Sequence, residues 1–120
     1  MALSKKQSRR IGKSKYATLS STEIKDEITS AFKKSGIPYT EFPFATMSIY
    51  SVGKITLQFR IHCKMTIERK FQAVCFVSSQ CGYGSWSNCE FRSTIEEALA
   101  DIKPFLTTMF KDLLELQLGV

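Results

Sequence analysis

The residues with the most chemical reach are one histidine and four cysteines. His62 and Cys63 are adjacent, Cys75 follows twelve positions later, and Cys81 and Cys89 bracket a loop. A Cys–His pair makes a nucleophile only when thiol and imidazole come within hydrogen-bond reach. Here both residues lie in a segment of strict alternation, which sends neighbouring side chains to opposite faces. Glu68 is the nearby carboxylate on the histidine's face, three positions further along it. No nucleophile elbow, phosphate loop or metal-hydrolase pattern occurs, so no enzymatic activity is expected. A structural zinc site wants four ligands at tight spacings. Neither Cys81 nor Cys89 belongs to a Cys-x-x-Cys pair, and Cys63 and Cys75 read as reduced core residues facing each other across two strands. The expectation is therefore no metal, no cofactor and no small-molecule substrate.

Charge supplies the stronger signal. Of the 17 basic residues, six (Lys5, Lys6, Arg9, Arg10, Lys13 and Lys15) lie within residues 1–15, where there is no acid. The remaining 11 face 11 acidic residues, so the net charge of +6 belongs to the N-terminal segment. Such a run reads as an arm that contacts nucleic acid or as an import signal, and Lys5-Lys6-Gln-Ser-Arg9-Arg10 is compact enough to direct nuclear localisation. Ser8 and Ser14 sit among these charges, where phosphorylation would cancel part of the field. A mitochondrial presequence, attraction to an anionic membrane surface and a plain solubilising extension are the rival readings.

The elements that must position any site follow from periodicity. Residues 1–18 read as a basic flexible arm and residues 19–120 as a single α+β domain, since 120 residues are too few for two useful cores. Leu19, Ser20, Glu23 and Ile24 have the spacing of a hydrophobic staple and a capping box. Ile24, Ile28, Ala31 and Phe32 then form an apolar stripe, and Gly36 with Pro38 ends the helix. From Ile55 to Ile67 apolar and polar residues alternate without error, which predicts a thirteen-residue strand of roughly 43 Å at about 3.3 Å per residue. A reversal at residues 68–70 would set Cys63 against Cys75 and Ile61 against Val77. Gly53 would bring Met47 and Ile49 to face Leu57 and Ile55, and Phe91 would sit in a short fourth strand. Ser93 and Glu96 predict the cap of a long C-terminal helix, whose stripe runs from Ile95 through Leu99, Ile102, Leu106, Met109 and Leu113 to Leu116. Pro104 kinks it. The predicted order is α-β-β-β-(β)-α, an antiparallel meander covered on one face by two helices.

Two further surfaces carry function in this reading. The polar face of the long strand presents Gln58, Arg60, His62 and Lys64, a basic groove diluted by Thr56, Thr66 and Glu68. The loop between Cys81 and Cys89 carries Tyr83 and Trp86 among glycines. Tyr83 is expected to be exposed as a stacking residue, and Trp86 to fold back over the core edge.

The element order, with Gly36-Ile37-Pro38-Tyr39 after the first helix, resembles that of double-stranded-RNA-binding domains. It also resembles the small Alu-binding subunits of the signal recognition particle, which use a sheet face for RNA. Glu96 and Glu97 stand where the former carry a lysine cluster, so the order assigns no family.

No stretch approaches the ~18–20 apolar residues of a membrane span. No secretory signal follows Met1, which with free thiols points to an intracellular protein, cytoplasmic or nuclear. The expected function is a small non-catalytic nucleic-acid-associated protein, of the accessory or nucleoprotein type that viruses use. Its contacts would come from Lys5, Lys6, Arg9, Arg10, Lys13, Lys15, Arg60, His62, Lys64 and Tyr83, with RNA and DNA both open. The alternative is a protein–protein or dimerisation module with a nuclear-targeting tail. It would associate through the long strand's edge or through Leu113, Leu114, Leu116, Leu118 and Val120.

Overall fold

The computed structural model describes residues 15–117. Helix α1 (Ser21–Ser35) begins where the capping box places it. The Ser20 hydroxyl accepts from the Glu23 amide at 3.2 Å, and the Glu23 carboxylate accepts from the Ser20 amide at 3.0 Å. It ends at Gly36, whose φ of 78° is the left-handed conformation that glycine adopts without a Cβ penalty.

Five strands follow: β1 (Thr40–Glu41), β2 (Thr46–Val52), β3 (Ile55–Lys64), β4 (Lys70–Ser79) and β5 (Gly82–Trp86). They form one antiparallel sheet in chain order. Two helices close the chain, α2 (Ile95–Ala100) and α3 (Ile102–Gln117). All three helices pack on the same face. Phe32 of α1, Phe59 and Phe71 of the sheet, Ile95 of α2 and Phe105 of α3 belong to one buried cluster. The α+β class and the one-sided meander are as expected, while several details differ.

The hairpins set a different register. Val52 pairs directly with Ile55 across a two-residue turn, with Gly53 at φ 60° in its first position. That is where a II′ turn takes glycine. The tight turn turns β2 over: Ser48, Tyr50 and Val52 share the face of Phe59, Leu57 and Ile55, while Ile49 is left 40% exposed. Met47 is buried, but outside the main core cluster. Ser48 is tolerated inside because its hydroxyl donates to the Pro38 carbonyl.

Strand β3 ends at Lys64, three residues short of the expected Ile67, and its pairing with β4 is offset by four. Cys63 faces Phe71, and Cys75 faces Phe59, so the two thiols are not opposite each other. The connection is a five-residue loop in which Arg69, at φ 48°, supplies the left-handed residue in place of a glycine. The shift by an even number keeps every apolar residue on its face.

At the C-terminal end, Thr94 rather than Ser93 caps α2, its hydroxyl accepting from the Glu97 amide at 3.2 Å. The expected single kinked helix is divided at Asp101. Pro104 has no amide to give to the Ala100 carbonyl and its ring crowds that carbonyl, so the helix restarts at Ile102, two residues before the proline. The fourth long-range pairing strand is β5 rather than a strand at Phe91, which lies outside the ladder. The expected arm also ends earlier. Residues 15–18 form a turn, and Tyr16 is buried with its ring 4.8 Å from that of Phe71.

Candidate nucleic-acid interface

With all helices on one side, the other face of β3–β5 is open. Residues directly opposite share a face, so Gln58, Arg60, His62 and Lys64 of β3 stand beside Gln72, Val74 and Phe76 of β4 and Tyr83 and Ser85 of β5. No Asp or Glu lies on these three strands.

Two aromatic–cation groups organise the face. In the first, the Arg60 guanidinium carbon lies 4.3 Å from the Phe76 ring centroid. Tyr83 stacks on Phe76 at 6.2 Å with planes 16° apart, and is 75% exposed. Arg60 Nη2 donates to the Gln58 carboxamide at 3.0 Å, which holds the guanidinium over the ring. In the second, Lys64 Nζ stands 5.6 Å from the Phe91 centroid and the His62 ring 6.2 Å from it. Phe91 sits there because its neighbour is fixed. Arg92 exchanges two backbone hydrogen bonds with Phe71 and makes a two-pronged ion pair with Asp101, at 2.9 and 3.1 Å. Gln72 also donates to the Cys89 carbonyl at 2.8 Å, tying the loop before Phe91 to β4.

The structure thus brings Arg60, His62, Lys64 and Tyr83 onto one surface. Lys15 is exposed on another part of the molecule, its ammonium 5.0 Å from the Tyr16 ring. Lys5, Lys6, Arg9, Arg10 and Lys13 lie outside the described residues, as do Leu118 and Val120. Phe76 and Phe91, the plates of both groups, were not among the expected site residues. Phe76 hides in the apolar run Ala73–Val77, and only the alternation of β4 turns it outward. Trp86 lies on the opposite face, its ring 6.3 Å from Phe105, although it remains 45% exposed. The loop expected between Cys81 and Cys89 is largely strand β5, with Gly82 at φ 146° after the turn.

His62 is exposed and Cys63 half-buried on the core side, so imidazole and thiol are on opposite faces. Burial pushes the Cys63 and Cys89 thiols up and the Cys75 thiol to about 11. Such thiols are protonated at neutral pH, the reverse of an activated nucleophile. Among the described residues no group of three or more His, Cys, Asp or Glu is gathered to hold a metal, and no helix is long and apolar enough to cross a membrane.

Comparison with protein-family models, curated proteins and solved structures finds no match.

Proposed function

We propose that this protein is a small non-catalytic nucleic-acid-binding protein whose open sheet face takes single-stranded RNA or DNA. The observation that carries this reading is the Arg60–Phe76–Tyr83 stack on a face without carboxylates. An exposed ring on a sheet accepts an unstacked base of any sequence, while neighbouring cations meet the phosphates. A duplex hides its base faces, so the same surface favours single strands. The basic segment at residues 5–15 adds sequence-independent attraction and a nuclear address in this proposal.

The test is anisotropy of a labelled twelve-nucleotide single strand, compared with its duplex, for the full chain and for Tyr83→Ala and Phe76→Leu. Each lost stacking partner should weaken single-strand binding by about 1–3 kcal/mol, roughly 5- to 150-fold. Unchanged affinity in both variants would sink the proposal.

A further inference from the structure

Strand β2 pairs with β3 only from Ser48 to Val52, opposite Phe59 to Ile55. Before Ser48 it pairs with β1 instead, Met47 against Thr40 and Thr46 against Glu41. This β1–β2 corner is fastened to α1. Thr46 and Thr29 share a hydroxyl hydrogen bond of 2.6 Å, and Lys25 meets Glu41 at 2.9 Å. Strand β3 continues to Lys64, and among the described residues only β4 pairs with its last five positions. The tight turn makes Val52 and Ile55 a hydrogen-bonded pair, so every second residue of β3 from Ile55 directs its N–H and C=O to the β2 side. At the uncovered end those residues are Ile61 and Cys63.

Between that edge and the fastened corner lies a cavity of about 530 Å³, in the range of ligand sites. Ile24 and Ile28 of α1 form one wall, and Phe44, Ile61, Cys63 and Met65 the others. Phe44 is 76% exposed and Met65 49%, so large apolar groups rim the slot. The charged and titratable side chains lining it are Lys25, Arg60 and His62, beside the neutral Cys63 thiol, and no carboxylate lines it among the described residues. Arg60 lines the slot, and its Nε is buried with no hydrogen-bond partner among the described residues, a donor suited to a carboxylate.

We propose that this slot receives an extended peptide segment of another protein, alternating apolar and acidic residues, as a strand added to the free edge of β3. Backbone of the guest would pair with Ile61 and Cys63, its apolar side chains would meet Ile28 and Met65, and an acidic one would reach Arg60. Charge argues against a second copy, whose β3 would bring Arg60, His62 and Lys64 against the same residues. It argues equally against the chain's own basic N-terminal segment.

The inference does not rest on the nucleic-acid reading. It is tested with two labelled eight-residue peptides of equal charge, one alternating Glu and Val, the other Glu and Gly. Anisotropy with the full chain should show the Glu-Val peptide binding at least about tenfold more tightly. That margin equals ~1.4 kcal/mol, above what attraction to the basic segment gives both peptides alike. Cys63→Pro removes one donor aimed at the slot without breaking a bond to β4, and should abolish the tenfold margin. Phe44→Ser, at an exposed position, should reduce it several-fold while leaving the urea midpoint unchanged. Equal binding of the two peptides, or a margin untouched by Phe44→Ser, overturns the proposal. So does a Phe44-dependent dimer in sedimentation, which would make a second copy the occupant.

Discussion

Arg69 Nε donates to the main-chain carbonyl of Tyr16, 53 positions earlier, at 3.2 Å. The same guanidinium reaches the carbonyls of Ala17 and Leu19 at 3.1 and 3.3 Å. One side chain on the β3–β4 loop therefore fixes the segment leading into α1, and it does so from a backbone at φ 48°. The two roles are separable. Arg69→Ala should cost about 2–3 kcal/mol, losing charge-assisted hydrogen bonds while retaining an unfavourable φ. Arg69→Gly loses the same bonds but relieves the backbone by up to ~1 kcal/mol. Urea denaturation should rank the three proteins wild type, Gly, Ala. Limited trypsin digestion at Lys15 should accelerate in both variants.

The four thiols should react in an order set by burial. Cys81 is exposed, Cys63 and Cys89 are half-buried, and Cys75 is fully enclosed. Titration with a chromogenic disulfide at neutral pH should show one fast thiol, two slower ones, and one that waits for unfolding. Because the Cys75 thiol is raised to about 11 from an ordinary value near 9, its contribution to stability is complete below pH 9. It is lost as pH rises toward 11, since only the unfolded chain ionises in that window. Cys75→Ala should flatten the alkaline limb of the stability curve, measured by urea midpoints at pH 8 and pH 10.5.

What was legible in the sequence was whatever a local spacing dictates. Ser20, Glu23 and Gly36 delimit α1 with no help from tertiary contacts, and the alternation around Arg60, His62 and Lys64 correctly gives one wet face. Register was not legible, because it depends on turns whose residues look ambiguous. Gly53 permits either a two-residue or a longer reversal, and only the shorter one places the buried Ser48 hydroxyl under the Pro38 carbonyl. Arg69 carries no composition signal for a left-handed conformation; its conformation is sustained by the carbonyls it grips. The site suffered the same blindness. Arg60 and Tyr83 stand out by type, but Phe76 joins them on the open face only once β4 is known to alternate beneath them.

The α1 cap should respond to acid. Hydrogen bonds from the Ser20 backbone and hydroxyl hold the Glu23 carboxyl below the usual glutamate range. A depressed folded-state pKa contributes stability above the unfolded value and loses it as pH falls through the folded one. Ser20→Ala should destabilise the protein by about 1 kcal/mol at pH 7. The gap between variant and wild type should narrow between pH 5 and pH 3, read from thermal midpoints; a gap independent of pH would mean that Glu23 takes no part in the cap.

Under the proposed function, the basic segment and the sheet face make separable demands on nucleic-acid binding. Lys5, Lys6, Arg9, Arg10 and Lys13 precede the described residues, and each phosphate neutralised on a single strand contributes roughly 0.7 to the salt slope. Deleting residues 1–14 should therefore lower the slope of log affinity against log salt by about 3 to 4. The preference for single strand over duplex should survive, because it arises from the rings. Tyr83→Ala should do the converse, lowering single-strand affinity at every salt concentration with little change in slope. If the deletion removed the strand preference as well, base stacking on Phe76 and Tyr83 would have no role in it, and the open sheet face would be a solvated surface beside a basic tether.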